Sequence, residues 1–366
     1  FLYFAIKTMT IHHIINDYNL ALGGAQRVAI DLHKGGLDTG LSSKLLGLSK
    51  DPNYTIEGAF SLKHKSAYKF IVIIKLWRYF KEEVKTGDIV NVHLFPAIFY
   101  VSVLQILKLI PKCKLILTDH STSNKRRGKS WGKVVDKITY SPYSKIIAIS
   151  KGTAKSTIRS YPFLSNKVHI INNGAHLFFK KFVTRTSATK IIIMSVGRLH
   201  PSKNYKTALN SIAKIKNLDF EYWIAGLGEL EEELKNQVKH LGLQDKVKFL
   251  GYISDIPTLL KKCDIFLIPS TWEGFGLAAV EAMNASLPCV VSNVPGLGDL
   301  IKKDGEDAFL VAPSDEKIIT DRLTQLIENK DIRHEMGKKA FARSLNFGVH
   351  TMIEDYMNLY KALSNG

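Results

Sequence analysis

Two carboxylates eight positions apart, Glu273 and Glu281, bracket the glycine-rich stretch STWEGFGLAAVEAM (270–283). Gly274 and Gly276 let backbone N–H groups approach an anion, and a helix read over 277–285 would present its N-terminus at the same place. A carboxylate accepts two hydrogen bonds from a vicinal diol, the group that a ribose or a sugar ring offers. Upstream, SVGRLHPSKN (195–204) ends a strand, turns at Gly197 and supplies Arg198 and Lys203. Arg grips a diphosphate as a fork, and Lys meets it as a point charge. Taken singly, the cations could be solvated surface groups and the acids a helix-start acid and an ordinary helical glutamate. Placed on neighbouring strand ends of one sheet, the four residues would bracket a nucleotide sugar.

The elements that must hold them alternate strand and helix. In the second half KIIIMSV (190–196), FEYWIAG (220–226), VKFLG (247–251), DIFLIPS (264–270), PCVVS (288–292) and AFLVAP (308–313) read as buried strands. The first half repeats the theme with IHHIIND (11–17), a turn at Gly23 and Gly24, DIVNVHL (88–94), KLILTDH (114–120), KIIAIS (145–150) and VHIINNG (168–174). This alternation predicts an α/β protein with parallel sheets covered on both faces. The expected division is a first Rossmann-like domain over 9–180 and a second over 188–346, with a linker within 175–189. An amphipathic helix over 347–366 is expected to pack back on the first domain. Ligands of such sheets bind beyond the carboxyl ends of the strands, so a cleft between the domains is the expected site.

The order EGFGLAAVEAM, with SVGRLHPSKN upstream and VVSNVPGLGDLI downstream, resembles glycosyltransferase family 4 over nearly the whole chain. GGAQRV (23–28) is similar to the family's first-loop glycines and VHIINNGAH (168–176) to its segment before the linker. The resemblance implies the GT-B architecture, two Rossmann-like domains facing across a cleft, and transfer with retention at the anomeric carbon. It implies that Arg198 and Lys203 hold the donor diphosphate, Glu281 the ribose hydroxyls and Glu273 the donor sugar. The backbone around Gly274, Phe275, Gly276 and Leu277 would support sugar and phosphate. Gly23 and Gly24 would line the donor site, Gly24 near the diphosphate; His120 would lie near the donor sugar, and Tyr252 and Ile253 would meet the base. UDP is the nucleotide expected, and no cofactor or metal. Gln26, Ser286 and Asp299 depart from residues common in the family.

The charge separates along the chain. Residues 1–185 hold 29 Lys and Arg against 10 Asp and Glu, a net +19, while residues 186–366 hold 22 against 23, so the total of +18 resides in the first half. One half therefore faces something anionic. KHKSAYKFIVIIKLWRYFKEEVK (63–85) mixes Lys and Arg with Phe70, Ile71, Ile74, Trp77 and Phe80, as an interfacial helix does; a second basic run occupies 124–137. The expected partners are a nucleotide sugar, a glycan or lipid-diphosphate-linked acceptor and an anionic membrane surface. Nucleic acid is not expected, because no motif for it is present. Three cysteines without a CxxC pair fit a reducing compartment, and the opening FLYFAIKTM is too short for a cleavable leader. The expected place is the cytoplasmic face of the cell membrane, in bacterial surface polysaccharide or oligosaccharide synthesis. The alternatives are a nucleotide-sugar epimerase on the same fold and a non-catalytic polyanion binder.

Overall fold

The computed structural model describes residues 9–20, 23–49, 55–122, 130–185 and 190–364. The chain forms two compact units. The first runs to Asn173 and resumes at His350; the second is Gly174–Val349.

The first unit contains β1 (Thr10–Ile15), α1 (Gly24–Asp38), β2 (Ser42–Gly47), β3 (Ala59–Ser61), α2 (Ile71–Glu83), β4 (Ile89–His93), α3 (Ala97–Ile106), β5 (Lys114–Asp119), α4 (Ser130–Tyr140), β6 (Lys145–Ala148), α5 (Lys151–Ser160) and β7 (Val168–Ile170). Its strands form one parallel sheet in the order β3-β2-β1-β4-β5-β6-β7. Side chains alternate across a strand, and here the two faces differ in chemistry. Ile14, Val90, Val92, Leu115, Leu117 and Ile146 lie in the apolar cluster that α2, α3 and α4 cover. The opposite face carries His13, Asn91, His93 and Thr118, all 0 % exposed, in a register that pairs His13 with Asn91 and His93 with Thr118.

That polar face is matched by the last helix, α12 (Val349–Ser364). Asn91 Nδ2 donates to the Tyr360 hydroxyl at 2.8 Å, and the Thr118 and Tyr356 hydroxyls lie 3.3 Å apart. Buried polar groups of a sheet need such partners. Gly35 of α1 permits close passage of the same helix, because a Cβ there would lie 2.5 Å from Ile353.

The second unit contains β8 (Ile191–Val196), α6 (Tyr205–Ala213), β9 (Phe220–Ala225), α7 (Glu231–His240), β10 (Val247–Gly251), α8 (Ile256–Lys261), β11 (Ile265–Ile268), α9 (Leu277–Asn284), β12 (Cys289–Ser292), β13 (Phe309–Val311), α10 (Glu316–Glu328) and α11 (Lys330–Ser344). Its parallel sheet has the order β10-β9-β8-β11-β12-β13. In both units the first strand of the sheet stands beside the fourth, so the connections diverge between them, which is the switch point where doubly wound sheets bind ligands.

The expected boundary at 180–188 falls instead at Asn173–Gly174. Much of the segment read as a linker is stitched to the second unit. Phe179 exchanges hydrogen bonds with Asn284, its N–H reaching Oδ1 at 2.9 Å, and the Val183 N–H reaches Ser286 Oγ at 2.9 Å. The Arg185 guanidinium donates to the carbonyls of Leu260, Cys263, Ala285 and Ser286. It thereby satisfies acceptors at the C-terminal ends of α8 and α9, where a cation is favoured. Such a clasp has no periodicity for a sequence pattern to reveal.

Candidate donor site

In the second unit, the loops after β8 and β11 leave the sheet at its switch point and meet there. The Thr271 N–H donates to the Ser202 carbonyl at 2.8 Å, tying the two loops by backbone. Lys203 on the first loop forms an ion pair and hydrogen bond with Glu273 on the second, with 21 % and 14 % of their side chains exposed. Ser270 Oγ reaches the same Glu273 oxygen at 3.2 Å. The Lys203 stem passes over Gly197, and the Tyr205 hydroxyl donates to the Gly197 carbonyl at 3.0 Å.

Gly276 adopts φ +100° as the N-cap of α9, a left-handed conformation that suits glycine, and the helix starts four residues after Glu273. Phe275 turns inward to pack on Phe347, with ring centroids 5.7 Å apart, and so anchors the loop. An anion placed at this junction would meet helix N–H groups and the Lys203 ammonium together.

Arg198 is exposed on the same loop as Lys203. Leu277 is the first residue of α9, and Glu281 lies further along it, buried with 5 % exposure. Tyr252 is 57 % exposed and Ile253 partly buried, both just past β10 at the sheet edge. Trp272 and His200 cross edge to face at 6.5 Å beside the paired loops.

The remaining site residues belong to the first unit. Gly23 caps α1 with φ +145°, and Gly24 is its first residue. His120 follows β5, and its Nε2 lies 2.9 Å from His93 Nδ1. Burial lowers the pKa of His120 to about 3. At the switch point of this sheet, Asn16 Nδ2 donates to the Phe95 carbonyl at 2.7 Å, joining the loops after β1 and β4.

Sequence reasoning missed Ser270, Asn16 and His93. His93 had a signal: in DIVNVHL, Asn91 and His93 stand two positions apart between apolar residues and so share one face of the strand. Asn16 acts through a partner 79 positions away and left none, and Ser270, although only three residues before Glu273, carries no pattern that marks it.

Two family models match consecutive parts of the chain, Glycosyltransferase Family 4 over residues 22–177 and Glycosyl transferases group 1 over residues 178–343. The chain belongs to the family 4 type of glycosyltransferases.

Among its relatives is UDP-Gal:alpha-D-GlcNAc-diphosphoundecaprenol alpha-1,3-galactosyltransferase of Escherichia coli, 31 % identical over 211 residues, 53 % of this chain and 54 % of that protein. The match thus spans about half the length of that relative. A second is a Campylobacter jejuni alpha-1,4-N-acetyl-D-galactosaminyltransferase that acts on GalNAc-alpha-(1->4)-GalNAc-alpha-(1->3)-diNAcBac-PP-undecaprenol; it is 27 % identical and covers 69 % of this chain and 70 % of its own. The fold matches Anabaena HepE, solved in complex with UDP, with a TM-score of 0.80, 20 % identity, and 97 % and 100 % of the two chains covered. Family membership makes the chain an enzyme of glycosyl transfer and sets aside the epimerase and polyanion-binder alternatives.

Proposed function

We propose that this glycosyltransferase moves a hexosyl residue from a UDP-sugar to a lipid-diphosphate-linked glycan in bacterial surface polysaccharide or oligosaccharide synthesis, with retention at the anomeric carbon. The observation that carries the donor part is the Lys203–Glu273 pair at the switch point beside the N-terminus of α9. In this reading Lys203 and Arg198 hold the diphosphate, Glu281 the ribose and Glu273 the sugar. The bond between the anomeric carbon and the phosphate oxygen breaks, the acceptor hydroxyl oxygen bonds to that carbon on the same face, and its proton passes to the departing phosphate. Fixed cations and helix N–H groups stabilise the charge left on the diphosphate without solvent rearrangement. The charge is met by the chain's own cations, so transfer should persist in EDTA. The substrates named for these relatives support UDP and an undecaprenyl diphosphate acceptor.

Docking on an anionic membrane surface completes the proposal. Helix α2 and the turn before it divide their residues between two environments: Val72, Leu76, Tyr79 and Phe80 are buried, while Tyr68, Phe70, Ile71 and Ile74 are exposed, Phe70 by 78 %. Exposed Lys63, Lys65, Lys69 and Arg78 surround them. The expected interfacial set is corrected for Phe80, which is 0 % exposed in the core, and for Trp77, which is partly buried against it. Of the second basic run, 124–129 lie outside the described residues; α4 begins at Ser130. No helix among the described residues is long and apolar enough to cross a membrane.

The test is incubation with UDP-, GDP- and ADP-hexoses in separate reactions with an undecaprenyl diphosphate-linked disaccharide, with and without EDTA, followed by NMR of the product. An α-linked product formed from an α-configured UDP-sugar, unaffected by EDTA, is expected. A β-linked product, or transfer only from GDP- or ADP-sugars, would overturn the corresponding part of the proposal.

A further inference from the structure

Three imidazoles line the polar face of the first sheet. His13, on β1, and His93, at the end of β4, have ring centroids 5.8 Å apart; His93 and His120, following β5, have centroids 5.2 Å apart. His93 Nδ1 and His120 Nε2 share a hydrogen bond of 2.9 Å. Among the described residues, neither remaining nitrogen of that pair, His93 Nε2 nor His120 Nδ1, has a partner, and the same holds for both nitrogens of His13. Four unpartnered buried ring nitrogens in neighbouring side chains are costly and call for a physical reason.

Burial lowers the pKa of all three rings, so each is neutral and carries one N–H. The shared bond then has two possible senses. If His120 donates through Nε2, the orphan N–H belongs to His93 Nε2, on a ring that is 0 % exposed and whose neighbour His13 also carries an unpartnered N–H. If His93 donates through Nδ1, the orphan N–H belongs to His120 Nδ1. His120 as a residue is partly exposed and stands at the carboxyl end of a parallel strand, where ligands bind, although its Nδ1 is covered in the ligand-free chain. His93 Nε2 is then a lone pair beside the N–H-bearing ring of His13. The second sense places the unsatisfied donor of the pair at the strand end, on the partly exposed residue of the two, rather than inside the sheet.

We propose that His93 is a positioning residue, which donates from Nδ1 to His120 Nε2 and so holds His120 as the Nδ1–H tautomer, a fixed donor for an oxygen of the bound sugar nucleotide. The proposal rests on the donor-site reading of His120. It assigns to β4 a part in the reaction that no substrate contact would reveal. A neutral donor on a ring oriented by its neighbour needs no reorientation when charge develops in transfer.

The test uses the full enzyme labelled with 15N-histidine and long-range proton–nitrogen correlation, with His120 assigned by its loss in His120→Gln. The wild type is expected to show His120 as the Nδ1–H tautomer before any ligand is added. His93→Leu should shift His120 toward the Nε2–H form that unrestrained side chains favour, and lower kcat about tenfold, the size of one net hydrogen bond. His93→Asn, whose amide nitrogen can occupy the place of Nδ1, should restore the tautomer and most of kcat. Finding His120 already as the Nε2–H tautomer in the wild type would overturn the proposal without reference to any variant. So would an unchanged tautomer in a folded His93→Leu. Full activity of His120→Gln would instead remove the donor-site reading of His120 while leaving the measured tautomer coupling in place.

Discussion

Replacing Glu273 by Gln should push nucleotide affinity and turnover in opposite directions. In the ligand-free enzyme the Lys203 ammonium is paired with this carboxylate, and both groups are largely shielded from water. A diphosphate at the same junction competes for Lys203 and feels the negative charge of Glu273. Two unit charges about 6 Å apart at an effective dielectric constant of about 20 interact by ~3 kcal/mol. Partial exposure and salt reduce this to about 1 kcal/mol, or roughly fivefold in affinity. Gln keeps the shape and a hydrogen-bonding oxygen for Ser270 while removing the charge. UDP, which lacks the transferred sugar that Glu273 would hold, should therefore bind about fivefold more tightly to Glu273→Gln by titration calorimetry at low salt, with the gain shrinking as salt is added. Turnover of the UDP-sugar should fall by about a hundredfold, because the carboxylate that holds the transferred sugar is gone. A parallel fall in UDP affinity and turnover would refute this reasoning: Glu273 would then be orienting Lys203 toward the phosphates rather than competing with them. Unchanged UDP affinity would move the diphosphate away from Lys203 altogether.

Arg185→Met should destabilise the second unit by about 2–4 kcal/mol in denaturant titration, since it strips four carbonyls of a charged donor; Arg185→Lys should recover little, because a point charge cannot span four acceptors. Acid should weaken the first unit. His13 and His120 have folded pKa values lowered to about 3, so the unfolded chain takes up more protons below its ordinary value near 6.5. The stability they contribute is complete above that value and is lost as pH falls from 6.5 toward 3, by up to ~1.4 kcal/mol per pH unit for each ring. The denaturation midpoint between about pH 7.5 and 5.5 measures it, and His13→Gln should flatten the slope. Phe70→Ser with Ile74→Ser should reduce flotation with phosphatidylglycerol vesicles at least tenfold while leaving UDP affinity unchanged, because both side chains are exposed. Equal flotation would remove α2 from the proposed membrane surface.

Much of this protein was written locally. The apolar runs and the helices between them follow from side-chain periodicity. The glycines in EGFG and the turn at Gly197 follow from backbone freedom, and the site residues Lys203 and Glu273 from their places just past strand ends. These are short-range properties, and the sequence by itself determined them. It did not determine that Lys203 and Glu273, seventy positions apart, would form an ion pair; that required β8 and β11 to become neighbours in the sheet. Nor did it determine that residues 179–185 would be clasped to α8 and α9, since the partners of Arg185 are backbone carbonyls common to every residue type. His93 lies between these cases. Its alternation with Asn91 marked a polar face, but only the packed sheet set its ring beside His120, and only the covering helix α12 supplied the tyrosines that make that face tolerable in a core. Periodicity says which way a side chain points; what it meets there is decided by which strands pair and which helix closes over them.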